Sequence, residues 1–150
     1  MLNEKGQGKK FSLLVLIILL LVIWTVRLLV PATGTLTWDV FGYYLCLPAK
    51  FVHDDVWLDN IGWVQQVMQQ YEMPGTLYQA YVGPNGTWMY WFLFGMGIMY
   101  FPFFLIGHVW AQLGGYPADG FSMPYQYAIA YGSVVYASAG LFFLWKVLRT

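Results

Sequence analysis

The residues best suited to chemistry are a lone acid and the tyrosines that follow it. Asp39 lies about nine residues beyond an apolar stretch long enough to span a bilayer, and Tyr43 and Tyr44 come soon after. A carboxylate at a membrane surface can take a proton from an attacking hydroxyl or amine, or donate one. We therefore predict Asp39 as a catalytic acid or base, with Tyr43 and Tyr44 shaping the site around it.

Lys50 is predicted to belong to the same site. The apolar pattern over residues 38–52 predicts an amphipathic helix with Asp39, Tyr43 and Lys50 on one side, at spacings of four and seven residues. A lysine ammonium is a compact point charge that can meet a substrate phosphate. Asp39 also has a simpler explanation, because the helix dipole favours an acid near a helix N-terminus.

Further ionisable side chains occur at three places. Asp119 lies among turn-forming residues, and we expect it either to shape that turn or to bind a substrate hydroxyl. His108 lies in an apolar run, where a histidine pairs inside the protein or relays a proton. His53, Asp54 and Asp55 have the ligand types for a divalent cation, although adjacent acids at a helix end more often cap it or face solvent. The sequence has no phosphate-binding glycine loop, nucleophilic triad or haem motif.

The composition indicates a membrane protein. Hydrophobic residues make up 59% of the chain and charged residues 9%, which leaves too little polar surface for a soluble domain of 150 residues. Seven basic and seven acidic residues give zero formal charge, so no basic field exists to attract nucleic acid. Cys46 is the single cysteine, which excludes an intrachain disulfide and a cysteine-built zinc site.

Residues 11–30 are predicted as the first membrane helix. At 1.5 Å per residue this stretch reaches roughly 30 Å, the thickness of the hydrocarbon layer. Lys5, Lys9 and Lys10 precede it, so the positive-inside rule predicts residues 1–10 as a cytoplasmic tail. Arg27 can extend to the outer interface, where lipid phosphates would meet it.

Residues 31–91 are predicted as a structured external loop, because an unstructured loop of that length is improbable. It would contain the interfacial helix over 38–52, kinked at Pro48, and a second helix over 60–71. Strand-like residues on both sides of Asn85-Gly86 predict a small β-hairpin. The predicted fold class is thus an all-α multipass helical bundle with an external loop of amphipathic helices and one hairpin.

The remaining apolar segments give two alternative topologies. Residues 92–112 contain several glycines and Pro102, and we predict a broken membrane segment or a re-entrant one. Residues 125–148 are predicted as a membrane helix that ends in the basic residues Lys146 and Arg149. The positive-inside rule places those residues in the cytoplasm, which favours two full crossings over three.

Short motifs along most of the chain resemble a known group. They are Asp39-Val40-Phe41-Gly42-Tyr43-Tyr44, Leu47-Pro48-Ala49, Tyr78-Gln79-Ala80-Tyr81, Gly95-Met96-Gly97, Pro102-Phe103-Phe104 with His108, Gly115-Tyr116-Pro117-Ala118-Asp119-Gly120-Phe121-Ser122 and Pro124-Tyr125-Gln126. Together they resemble the N-terminal part of bacterial integral-membrane glycosyltransferases of the C-type fold. Protein mannosyltransferases and lipid A aminoarabinose transferases are relatives in that group.

The resemblance implies transfer of a sugar from a polyprenyl-phosphate-linked donor to an acceptor at the outer face of the bacterial inner membrane. Asp39 matches the acid that these enzymes carry just after the first membrane helix. C-type transferases run to several hundred residues, so the resemblance implies that residues 1–150 are the opening portion of a larger enzyme and incomplete alone. Its expected partners are the lipid-linked donor, membrane lipids, and the remainder of the transferase or a partner membrane subunit.

Two other functions fit the sequence. A non-enzymatic membrane subunit would dock a partner or lipid through its aromatic external loop, and would depend on Trp38, Trp57 and Trp63. A transporter fragment would use Pro102 and the neighbouring glycines in a discontinuous helix. Transport is the weaker alternative, because only His108 in that segment can carry charge.

Overall fold

A computed structural model describes residues 2–73 and 75–149, with side chains from residue 8 onward. The described residues are mostly helical and include one two-stranded sheet. Three helices, at Gly8–Leu29, Gly95–Gly114 and Met123–Val147, are long and apolar enough to cross a membrane, which agrees with the predicted helical membrane protein. The elements are α1 (Leu2–Leu29), α2 (Trp38–Tyr44), α3 (Cys46–Phe51), α4 (Gly62–Gln70), β1 (Ala80–Val82), β2 (Trp88–Tyr90), α5 (Gly95–Gly114) and α6 (Met123–Val147).

The chain forms two compact units, and the first contains α1 and the part of α6 from Ala130 onward. Near the C-terminal end of α1, the Trp24 indole N–H donates to Ser138 Oγ at 3.2 Å. Near its N-terminal end, Lys9 lines a cavity together with Trp145 and Arg149. The two helices of this unit are therefore antiparallel.

The second unit, Ala32–Ile129, has its own hydrophobic core. Helices α2 and α3 pack against α5, where a Cβ added to Gly97 would lie 2.6 Å from Cys46 Sγ. A Cβ added to Gly107 would lie 2.9 Å from the Tyr125 Cα. Both glycines thus allow close approach of neighbouring backbone. The largest fully buried side chains include Tyr44, Tyr125, Phe41, Phe104 and Phe121.

The helix predicted over residues 38–52 is two short helices, α2 and α3, with Leu45 between them. Leu45 keeps helical backbone angles, so the chain continues in nearly the same conformation. Pro48 explains the interruption, because its ring nitrogen cannot donate the helical hydrogen bond to the Tyr44 carbonyl. The break thus falls one turn before the proline.

The other loop elements agree with the prediction. The helix predicted over 60–71 is α4, Gly62–Gln70. The hairpin pairs β1 and β2 antiparallel, with Ala80 opposite Tyr90. Its turn is closed by a hydrogen bond from the Gly83 N–H to the Thr87 carbonyl, and Gly86 takes the positive φ that this turn needs.

The segment 92–112 differs from the prediction of a broken element. It forms one continuous helix, α5, with Pro102 inside it. Gly97 and Gly107 do not interrupt the helix, because each is a site of close packing against Cys46 or Tyr125. The last helix, predicted over 125–148, is α6, Met123–Val147.

Candidate functional site

The Asp39 carboxylate is exposed in the first turn of α2. Its Oδ1 accepts a 2.7 Å hydrogen bond from the Tyr78 hydroxyl, which comes from the segment just before β1. Among the described residues, no other hydrogen bond to this carboxylate occurs, so Oδ2 is open to a ligand. The bond to Asp39 raises the pKa of Tyr78 above its ordinary value, because it stabilises the protonated phenol.

Gln79 holds the two parts of this pair together. Its side chain is buried, and its Nε2 donates to the Trp38 carbonyl at 3.0 Å. Its Oε1 accepts from the backbone N–H of Tyr78 at 3.1 Å. The amide therefore links the start of α2 to the segment that carries Tyr78. Neither Tyr78 nor Gln79 was predicted as a site residue; their presence in the Tyr78-Gln79-Ala80-Tyr81 motif was the available signal.

Aromatic rings pack beside Tyr78. Tyr43 packs edge-on against Phe92, with 4.6 Å between ring centroids, and Phe92 also contacts the Tyr78 ring. Gly42 makes this possible, because a Cβ there would lie 2.4 Å from the Phe92 ring. Tyr43 is half-buried and packs on Phe92, and its role in shaping the site stays a prediction.

Tyr44 does not contact this site. Its side chain is fully buried, and its hydroxyl donates to the Gly120 carbonyl at 2.5 Å. Burial, with smaller contributions from neighbouring ionisable groups, raises the pKa of Tyr44 well above its ordinary value. The structure therefore does not support the predicted role of Tyr44 in shaping the site, because its side chain lies in the core while that of Tyr43 packs on Phe92.

Lys50 pairs with Asp54 and not with Asp39. The Lys50 Nζ lies 3.0 Å from Asp54 Oδ1, and both side chains are largely exposed. An exposed ion pair contributes about 0–1 kcal/mol. The structure thus does not support the predicted grouping of Lys50 with Asp39 and Tyr43, although the ammonium stays accessible to an anion.

Asp119 organises the segment before α6. Its Oδ1 accepts from the backbone N–H groups of Phe121 at 2.8 Å and Ser122 at 2.9 Å, and its Oδ2 accepts from the Tyr71 hydroxyl. Both carboxylate oxygens are thus used within the protein. Burial first, and then the bond to Asp119, raises the pKa of Tyr71. Of the two predicted roles for Asp119, the structural one fits these contacts.

His108 is paired through both ring nitrogens. Nδ1 lies 2.5 Å from the Tyr125 hydroxyl, and Nε2 lies 3.0 Å from the side-chain nitrogen of Gln112. The Phe104 ring stacks beside the imidazole, with 5.8 Å between centroids. This arrangement matches the predicted histidine paired inside the protein. A proton relay through Tyr125 stays a prediction.

The group His53, Asp54 and Asp55 does not assemble as a metal site. Among the described residues, no cluster of three or more histidine, cysteine, aspartate or glutamate side chains could hold a metal ion. His53 stacks on Trp63 at 3.9 Å, and desolvation lowers the pKa of His53. Asp55 Oδ2 accepts from the Trp63 indole N–H at 2.9 Å.

Asp55 has a structural role in this turn. Its carboxylate also accepts hydrogen bonds from the backbone N–H groups of Asp59 at 2.8 Å and Asn60 at 3.1 Å. Desolvation raises the pKa of Asp55, but the bonds from Trp63 and the two amides outweigh it and hold the pKa below its ordinary value. Asp55 therefore orders the turn that leads into α4.

The fold and these contacts define a helical membrane protein with a structured loop domain that carries an exposed aspartate–tyrosine pair. Comparison of the chain with known protein families, with curated proteins and with solved structures finds no match. The chemistry of the site must therefore be argued from its own residues.

Proposed function

We propose that this chain takes part in the transfer of a sugar from a polyprenyl-phosphate-linked donor to an acceptor at the outer face of the inner membrane, with its N-terminus in the cytoplasm. The observation that supports this proposal is the Asp39 carboxylate, which is exposed in the loop domain and bonded through Oδ1 to Tyr78. A carboxylate with one oxygen free of hydrogen bonds can accept a proton from a group that reacts with a lipid-borne donor.

In the proposed step, the bond between the anomeric carbon and the donor phosphate oxygen breaks, and its electron pair leaves with the phosphate. The acceptor hydroxyl or amine forms the new bond to that carbon. Its proton passes to Asp39 Oδ2, which later releases it to water. Tyr78 is a positioning residue, because its hydroxyl holds Oδ1 and leaves Oδ2 toward the acceptor.

The residues around the pair have supporting roles in this proposal. Tyr43 and Phe92 form an aromatic wall beside Tyr78. Lys50 can still bind the donor phosphate if that anion displaces Asp54, since the pair is exposed and contributes little. No divalent cation is part of the proposed step.

The test is transfer of radiolabelled hexose from short-chain polyprenyl-phosphate glucose and mannose, in membranes from cells that express the whole protein. Asp39→Asn removes the proton acceptor and should lower transfer by about 10²–10⁴-fold, the usual contribution of a general acid or base. Asp59→Asn is the matched control, because Asp59 is an exposed acid in the same loop domain with no part in the proposed step, and should retain full transfer.

Two results would reject the proposal. Retained transfer in Asp39→Asn would remove the carboxylate from the mechanism. If wild-type membranes transfer neither glucose nor mannose to any acceptor, polyprenyl-phosphate hexoses are not the donors. Membrane insertion, measured by carbonate extraction, should be the same in both variants because both acids are exposed.

A docking subunit is the second candidate, and exposed tryptophans favour it. Trp57 is 76% exposed and Trp38 is 56% exposed on the loop domain. Trp63, which the sequence also suggested for docking, is instead buried against His53. If the chain is a docking subunit, Trp57→Ala should release a co-purifying membrane protein, while Asp39→Asn should retain it.

A further inference from the structure

Helix α5 has two clearly different faces. Gly97, Phe104, Gly107 and Ala111 are buried in the loop-domain core. At 100° per residue, the opposite side of the helix carries an exposed stripe with no polar residue. The stripe consists of Ile98, Pro102, Leu105, Ile106, Val109 and Leu113. A continuous apolar stripe about 22 Å long indicates a surface that is covered by something other than water.

The helix pair of the first unit, α1 and α6, determines on which side of the membrane the chain between them begins and ends. The pair is antiparallel, because Trp24 and Arg27 of α1 approach Ser138 and Tyr131 of α6, while Lys9 shares a cavity with Arg149. The C-terminal end of α1 and the N-terminal end of α6 therefore lie on the same side when both helices cross the membrane.

The charges support that arrangement. Lys9, Lys146 and Arg149 line one cavity at the same end of the antiparallel pair. Positive-inside bias places this end in the cytoplasm for both helices at once. Three full crossings would instead separate Lys9 from Arg149 by the thickness of the membrane.

The segment between the pair must then cross the membrane an even number of times. Between Pro31 and Ala130, the described residues contain one helix long and apolar enough to cross, which is α5. We infer that α5 does not cross: both of its ends lie on the outer side, and its exposed apolar stripe lies in the outer leaflet against lipid acyl chains. The inference concerns lipid contact and does not depend on sugar transfer.

Lipid is the occupant that the rest of the chain favours. Both ends of the loop domain continue along the chain into helices that are apolar enough to cross a membrane. An apolar stripe without any charge pairs with acyl chains rather than with a polar partner. Trp91, just before α5, and Trp110 within it are both exposed, as expected for aromatic side chains at the membrane interface.

Single-cysteine labelling of the whole protein in intact cells tests the sidedness. In a Cys46→Ala background, Tyr116→Cys reports the end of α5, Asn85→Cys the hairpin turn and Lys146→Cys the end of α6. A membrane-impermeant maleimide should label Tyr116→Cys and Asn85→Cys without permeabilisation, and Lys146→Cys only after it. Labelling of Asn85→Cys and Lys146→Cys in intact cells, with Tyr116→Cys protected, would show that α5 crosses and would overturn the inference. If Tyr116→Cys does not accumulate, Pro117→Cys reports the same loop.

Spin labelling of the protein in liposomes tests the lipid contact. A nitroxide at Ile106→Cys should collide more often with oxygen than with a water-soluble nickel complex, because oxygen concentrates in the acyl layer. A nitroxide at Gln65→Cys, on the exposed side of α4, is the control and should show the reverse. Dominant nickel collisions at Ile106→Cys would place the stripe in water and would overturn the inference.

Discussion

The Tyr78 hydroxyl donates a 2.7 Å hydrogen bond to Asp39 Oδ1, although 39 residues separate the two along the chain. The contact joins the first turn of α2 to the segment that leads into the hairpin. Gln79 maintains it by bonding to both the Trp38 carbonyl and the Tyr78 amide. The orientation of the Asp39 carboxylate therefore depends on the hairpin as well as on α2.

Tyr78→Phe should lower kcat for sugar transfer by about tenfold, less than the loss expected for Asp39→Asn, and should leave KM for the donor unchanged. The phenylalanine keeps the ring against Phe92 but releases Oδ1, so the carboxylate loses its fixed orientation. Steady-state kinetics with the short-chain donor measures both constants.

Tyr81→Phe is the matched control for that measurement. Tyr81 lies three residues further on, in β1, and its ring packs against Trp91. Loss of its hydroxyl should leave kcat unchanged. Equal kcat losses in the two variants would indicate a general effect on the hairpin, and the positioning role of Tyr78 would then be wrong.

The sequence predicts the elements of this fold well and their contacts poorly. The Asn85-Gly86 turn and the five apolar or amphipathic segments are local signals, and helices or strands occur at each of these places. The partner of Asp39 could not be predicted, because the contact with Tyr78 is non-local and follows no periodicity. The helical pattern puts Tyr44 on the apolar side, which agrees with its burial; its assignment to the site rested on its place beside Tyr43 in the motif that begins at Asp39.

The glycines of α5 also show that a local sequence pattern does not predict tertiary contacts. A glycine within an apolar run indicates either a break or a close contact, and the sequence alone does not distinguish them. Gly97 and Gly107 are close contacts, because they face Cys46 and Tyr125 of other elements. The continuous helix follows from tertiary packing, which a local pattern does not contain.

Gly42→Ala should destabilise the loop domain by about 1–3 kcal/mol, although alanine is the better helix former. The new Cβ would lie 2.4 Å from the Phe92 ring and 2.9 Å from Gln79 Cγ, so Phe92 must move away from Tyr43 and Tyr78. Sugar transfer should fall with it. Chemical denaturation followed by tryptophan fluorescence, in detergent, measures the stability.

Gly95→Ala is the control, and its expected effect on stability is the opposite of that of Gly42→Ala. A Cβ at Gly95 meets nothing within 4 Å, and the residue begins α5. This variant should be neutral or more stable by up to about 1 kcal/mol, because alanine loses less backbone entropy in a helix. A Gly42→Ala protein at least as stable as Gly95→Ala would contradict the close packing of Phe92.

Alkaline pH should destabilise the loop domain through its buried tyrosines. Burial raises the pKa of Tyr44, and burial together with the bond to Asp119 raises the pKa of Tyr71, above the value of about 10 for an unfolded chain. Below pH 10 both states keep these protons and stability is unaffected. Above about pH 10 the unfolded chain loses protons first, so stability falls as pH rises further.

Thermal unfolding followed by circular dichroism between pH 8 and pH 11 measures this effect. Tyr44→Phe should start with a lower midpoint, because it loses the bond to the Gly120 carbonyl, worth about 1 kcal/mol. Its midpoint should then fall less steeply above pH 10 than that of the wild type, and Tyr71→Phe should behave likewise. Tyr81→Phe should retain the wild-type slope, since Tyr81 is exposed. Slopes that are identical in all four proteins would mean that Tyr44 and Tyr71 do not remain protonated in the folded state.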